Sequence, residues 1–312
     1  MTDPDIQPDI QVGTVAAPEI LRAPHAERRE FLSRIKDAGL DHVFIADHVS
    51  FHIGAGMDGL INAATLSAVE PALKVVVGVY LLALRHPVPV ARQLATIAES
   101  APGQLILGVG VGGEDRNEIA MCGVDPASRG RRTDECLTVI RGLLGGDQMD
   151  HSGEFFQFEK GWIRPAPNPP IPIVIGGRSD AALRRTAQHG DGWLAAWVSP
   201  RRFAEAVGQV AKLAAPLGRN PTFHGLQLWV GIDDDVTQAR ARLAKGMEQF
   251  YRIPFERFEK SSPYGSVAAV ADALAPYVEA GCRLFNLMPI AADPITGIEA
   301  IGEIKRRLTA LT

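Results

Sequence analysis

Apolar residues in this chain fall into short, β-branched runs separated by longer amphipathic stretches. The runs lie at 10–17 (IQVGTVAA), 42–49 (HVFIADHV), 74–84 (KVVVGVYLLAL), 104–112 (QLILGVGVG), 171–177 (IPIVIGG), 192–197 (GWLAAW), 223–232 (FHGLQLWVGI) and 282–290 (CRLFNLMPI). Nearly continuous apolar runs of this length, bounded by Gly and Pro, suit strands of a parallel sheet buried on both faces. Helix-period stretches lie at about 25–38, 59–69, 87–101, 129–145, 179–189, 199–217, 235–252, 266–280 and 298–311. Start signals accompany several of them: Pro87, Ser128, Ser179 and the Ser199-Pro200 pair.

Eight strands, each followed by a helix, predict an α/β chain of the (β/α)8 TIM-barrel class, with a doubly wound open sheet as the competing arrangement. Two stretches interrupt the alternation. Residues 146–170 read as a β-hairpin around Ser152-Gly153 with a Pro-rich return, and residues 253–281 as an insertion carrying the extra helix before the last strand. No stretch has linker composition, so residues 1–312 are expected to form a single barrel domain with these insertions.

Composition narrows the class of function. Lys and Arg number 32 against 36 Asp and Glu, a net charge of −4, which offers no basic field for a nucleic-acid backbone. The three cysteines, Cys122, Cys136 and Cys282, form no CxxC, so neither a disulfide framework nor a metal site is expected. MTDPDIQPDI lacks the basic and apolar regions of a signal peptide, and no apolar run is long enough to span a membrane. A cytoplasmic enzyme with a small-molecule substrate is the expectation.

Chemistry should gather at the strand C-termini if the barrel reading holds. Asp47-His48 closes the second run, where a His can serve as general acid or base and a neighbouring Asp can orient it or bond a cofactor. GVGVGG at 108–113 matches GxGxxG only formally, because three strands precede it and no long helix follows directly. Glycines at a strand end, Gly112 and Gly113 among them, let a flat ligand approach the backbone; a glycine turn without a ligand is the alternative. Glu114 and Asn117 follow at the same rim, as pocket residues or as a solvated acidic loop. Gly176-Gly177-Arg178 before a helix forms a second glycine turn suited to a phosphate. Rival chemistries lack parts: there is no HxH on the first strand, and no lysine (36, 74, 160, 212, 245, 260, 305) at a strand C-terminus for a Schiff base.

Five segments in this order carry a resemblance: GLDHVFIADHVSF (39–51), VVVGVYLLALRHPVPVARQLATIAESAPGQLILGVGVGGEDRNE (75–118), CGVDPASRGRRTDE (122–135), GEFFQFE (153–159) and PIVIGGRSDAALRRTAQHGDGW (172–193). Together they resemble the bacterial-luciferase-like flavin and deazaflavin oxidoreductases, in particular the branch using coenzyme F420. The resemblance implies a (β/α)8 barrel with insertions, F420 as cofactor, Asp47 bonding its ring and His48 as catalytic acid/base. It implies a cis peptide at Gly78-Val79 buttressing the ring, Glu114 and Asn117 near the ring and substrate, with Glu114 serving a second proton, and Gly176-Gly177 on the cofactor phosphate. Arg178 is a candidate for the anionic tail. His52 stands where a sugar-phosphate dehydrogenase of that branch has Trp, and its phosphate-binding lysines have no equivalent. Family habit implies a homodimer. The competing readings are an FMN-dependent monooxygenase supplied by a separate reductase, and a flavin-binding barrel without catalysis.

Overall fold

Each of the eight apolar runs forms a strand. The structure, a computed structural model, describes residues 9–52, 54–113 and 115–311. The strands are β1 (Gln11–Val15), β2 (His42–Ile45), β3 (Lys74–Leu81), β4 (Leu105–Gly110), β5 (Ile173–Gly176), β6 (Gly192–Ala196), β7 (His224–Ile232) and β8 (Cys282–Ile290). A helix follows each, beginning in order at His25 (after a short Pro18–Arg22 turn of helix), Gly59, Pro87, Arg129, Asp180, Pro200, Val236 and Pro294. The last starts four residues before the apolar periodicity does, because Asp293 accepts hydrogen bonds from Ile295 and Thr296 N–H and Pro294 suits the first turn.

Contacts divide the chain into two compact units, residues 45–190 and residues 9–44 with 191–311. In the latter, β2 pairs with β1, β1 with β8, β8 with β7 and β7 with β6, all parallel. The first strand of the alternation is thus the neighbour of the last, which the (β/α)8 class requires and a doubly wound open sheet does not show. In the unit of residues 45–190, β3 pairs with β4 and β4 with β5, again parallel. All six residues of β4 and all four of β2 are buried, as strands covered on both faces must be.

Both interruptions are ordered by charged side chains. Met149–Ser152 and Gln157–Gly161 form the expected hairpin. Glu135 holds its turn, accepting from Phe155 N–H at 3.0 Å, Phe156 N–H at 2.8 Å and pairing with His151 Nε2 at 3.1 Å. The segment before the extra helix Val267–Glu279 folds into 3-10 turns and a two-residue strand, Tyr264–Gly265, that pairs in parallel with the end of β7. Glu259 ties it down, accepting from Arg240 Nε at 2.6 Å and the Tyr264 hydroxyl at 2.9 Å. Among the described residues, no helix is long and apolar enough to cross a membrane.

Candidate active site

The run read as one strand over 42–49 stops at Ile45. His48–Phe51 instead opens a small antiparallel hairpin with Ala55–Met57. Asp47 causes the break by turning inward: it is 1% exposed, and its two oxygens gather four donors. Oδ1 accepts from Gly59 N–H at 2.9 Å and Arg85 Nη2 at 2.8 Å; Oδ2 accepts from Leu81 N–H at 2.9 Å and Arg85 Nη1 at 2.8 Å. The carboxylate therefore joins the start of the Gly59–Val69 helix to the end of β3. Gly59 has no side chain for a reason, since a Cβ there would lie 2.7 Å from Val77 Cγ1 and 3.1 Å from Asp47 Cβ. Burial pushes the Asp47 carboxyl above its ordinary value, against the pull of Arg85 and the two N–H groups. Burial pulls Arg85 down, and Asp47, Tyr80 and Asp58 outweigh it, holding the guanidinium above its ordinary range.

With Asp47 anchored inward, His48 faces the other way. Its side chain keeps 30% exposure and lies against Phe51, ring centroids 4.3 Å apart. Its Nδ1 sits 3.1 Å from Glu118 Oε2. Glu118, 2% exposed, belongs to the short helix Arg116–Met121, and its Oε1 also accepts from Val49 N–H at 2.7 Å and Ser50 N–H at 3.0 Å. Asp115, one turn earlier, caps that helix and accepts from His52 N–H at 2.7 Å, a bond that holds its carboxyl below the ordinary value.

The Gly78-Val79 peptide is cis, as the resemblance implied, and the β3–β4 register shifts between Val77 and Tyr80. The displaced Val79 side chain packs where three glycines leave space. A Cβ on Gly110 would lie 2.4 Å from Val79 Cγ2, and Cβ atoms on Gly108 and Gly176 would lie 3.3 and 3.0 Å from Val79 Cγ1. Val79 thereby accounts for Gly110 and presses on Gly176, whereas at Gly108 the Val77 carbonyl oxygen, 2.3 Å from where a Cβ would be, already excludes a side chain. Gly112, Gly113 and Gly177 have φ of +68°, +134° and +114°, a backbone that favours glycine. Arg129 stands beside the first two, its Nη2 3.2 Å from the point where a Gly113 Cβ would be.

The structure brings Asp47, His48 and the Gly78-Val79 bulge into one unit with Gly112, Gly113, Gly176, Gly177 and Arg178. Arg178 is exposed two residues past β5, and Ser179 behind it caps the helix Asp180–His189. Asn117 is exposed, its backbone N–H bonded to Asp115. Glu114 lies outside the described residues. Sequence reasoning missed Arg85 and Glu118. Neither carried a signal in the sequence: that Glu118 is buried beside Ile119 on a helix of six residues, and so needs a partner, shows only in the folded chain.

The residues present suit a flat ring with an anionic tail. Gly112, Gly113 and Gly177 bring backbone without side chains just past the ends of β4 and β5, and Arg129 beside Gly112 and Gly113 supplies the positive charge a phosphate-bearing group would need. The F420-dependent hydroxymycolic acid dehydrogenase of Mycobacterium tuberculosis is 30% identical over 235 residues, covering 69% of this chain and 64% of that one. An F420-dependent secondary alcohol dehydrogenase, solved with an F420-acetone adduct, superposes with a TM-score of 0.82 at 18% identity over 96% of this chain and 99% of its own. The oxygenating constituent of 3,6-diketocamphane monooxygenase of Pseudomonas putida, solved with FMN, gives 0.73 at 16% identity over 96% and 98%. At such identities the two structures speak for the (β/α)8 fold alone. The sequence model of the luciferase-like monooxygenases matches residues 6–283, and the chain belongs to that family.

Proposed function

We propose that the protein is an F420-dependent oxidoreductase that moves a hydride between the deazaflavin and a small hydroxyl- or carbonyl-bearing substrate. The observation that carries this is His48: an imidazole just past β2, 30% exposed and held through Nδ1 against the Glu118 carboxylate. Backbone at Gly78-Val79 would lie against the cofactor ring. Gly112, Gly113, Gly176 and Gly177, with Arg129 and Arg178, would hold its phosphate-bearing tail. When bound, the deazaflavin supplies a two-electron hydride acceptor or donor. His48 Nε2 takes the proton from a substrate hydroxyl as the hydride leaves its carbon, and returns it to a carbonyl in the reverse sense. Glu114 serves a second proton. Asp47, its oxygens already engaged by four donors, keeps the end of β3 and the Gly59–Val69 helix in place around the ring.

F420-dependent relatives support this cofactor over FMN, the alternative within the family. Fluorescence titration of the apoprotein with F420 and with FMN, followed by assays of secondary alcohols with and without oxygen, separates the two. F420 binding with oxygen-independent turnover is expected. FMN binding alone, with oxygen-dependent product, overturns the assignment.

A further inference from the structure

We infer that Glu118 is a positioning residue for His48, fixing the ring as the tautomer whose Nε2 can accept a proton. The inference rests on the reading of His48 as the proton-transfer group and extends it to a side chain 70 residues away. An ionised carboxylate can only accept hydrogen bonds. Glu118 Oε1 receives two backbone N–H groups that cannot change their role, Val49 at 2.7 Å and Ser50 at 3.0 Å. Oε2, at 3.1 Å, is then left facing His48 Nδ1. Two acceptors cannot hydrogen-bond, so Nδ1 must carry the hydrogen, and the lone pair of the neutral ring resides on Nε2.

The same carboxylate fixes where the ring points. It grips three consecutive residues, the ring of His48 and the backbone of Val49 and Ser50, while Asp115 on the same helix holds His52 N–H. The strand His48–Phe51 is therefore bracketed from one side by two acids three positions apart. Phe51 lies against the imidazole, ring centroids 4.3 Å apart. A general base oriented by a buried carboxylate through its second nitrogen is a recurring way to hold an imidazole ready for proton transfer.

Glu118→Gln tests this with little change of shape. The Gln carbonyl oxygen can still accept from Val49 and Ser50, which turns its NH2 toward Nδ1. Nδ1 must then accept, and the hydrogen moves to Nε2. Histidine 15N shifts of the full-length protein, recorded at a pH where the ring is neutral and assigned by loss of signal in His48→Asn, report the tautomer without substrate or cofactor. The expected result is Nδ1–H in the wild type and Nε2–H in Glu118→Gln. With F420 and an alcohol, kcat should fall on the order of 10²-fold or more while KM and F420 affinity hold. A wild-type ring carrying its hydrogen on Nε2 overturns the inference, and so does a Glu118→Gln enzyme with unchanged kcat. The tautomer in the wild type decides even if the variant fails to fold. Wild-type protein without F420-coupled turnover overturns the functional proposal instead, and the spectrum keeps the two failures apart.

Discussion

Two histidines at opposite ends of strands are held in opposite ways. His48, just past the C-terminal end of β2, directs Nδ1 at a carboxylate and leaves the rest of the ring half exposed. His224 opens β7 at its N-terminal end, is 3% exposed, and uses Nδ1 to accept the Trp193 N–H at 3.1 Å. Burial pulls the His224 imidazole down to about 4, so it stays neutral at physiological pH. One environment keeps a nitrogen available for a proton; the other makes protonation costly and uses the ring as a backbone partner. Strand C-termini in this fold carry chemistry and N-termini carry stability, and the contrast shows how one residue type is adapted to each.

The sharpest break of that contrast is His48→Asn. With the proton acceptor removed, turnover should fall ~10²–10⁴-fold, equal to ~3–5 kcal/mol of barrier. The denaturation midpoint should fall as well, by the equivalent of about 1–3 kcal/mol, because Glu118 Oε2, buried, loses its imidazole partner. Steady-state kinetics and urea unfolding of the same sample check both halves; an unchanged kcat returns His48 to the rank of an ordinary polar residue.

How much of this could be read from the residues follows the range of the interactions. β2 to β5 were legible because runs such as VFI, KVVVGV and LILGVG bury both faces locally. The hairpin at 48–57 was not, since HVSF and AGM are short, mixed in polarity and paired only with each other. Asp47 and His48 could be nominated by their place at a strand end. Their partners could not: Arg85 lies 38 residues from Asp47, and Glu118 lies 70 from His48, and only the folded chain reveals such pairs. Glycines 108 and 110 were visible as a pattern, but their contact with Val79 depends on the β3 bulge.

Asp47 sits at the functional end yet is held like a structural group, so Asp47→Ala asks which it is. The change would leave Arg85, with 15% side-chain exposure, without its bidentate partner and free two buried N–H groups. Removing one member of such a buried pair costs about 3–5 kcal/mol. Thermal and urea unfolding should show that loss. Wild-type stability with weakened cofactor binding would instead mark Asp47 as a ligand contact alone.

His224 predicts an acid limb of stability. Its folded pKa of about 4 lies below its ordinary 6.5, so the unfolded chain binds a proton more readily than the folded one. Stability from this group is complete above pH 6.5, declines as pH falls, and is lost below about 4, a total of about 3 kcal/mol. Protonation would also abolish the Nδ1 acceptor for Trp193 N–H. Denaturant unfolding between pH 7 and pH 4 should therefore fall more steeply for the wild type than for His224→Asn, whose amide does not titrate. Parallel slopes would remove His224 from the account of acid sensitivity.

The smallest effect concerns the glycine beneath Val79. In Gly110→Ala the new methyl would stand 2.4 Å from Val79 Cγ2 and 3.2 Å from its Cβ, inside any tolerable contact, so the bulge must shift. Overpacking of this kind costs about 1–3 kcal/mol. In Val79→Ala the offending Cγ2 is gone, and the remaining 3.2 Å contact asks only a small adjustment. The double variant Val79→Ala/Gly110→Ala should accordingly be more stable than the two single losses added together, with a coupling of about 1 kcal/mol. The same cycle read by F420 affinity asks whether the Val79 bulge serves the site. Relief of the clash in stability without recovery of affinity would show that Val79 itself, rather than the room around it, shapes the floor on which the ring is proposed to lie.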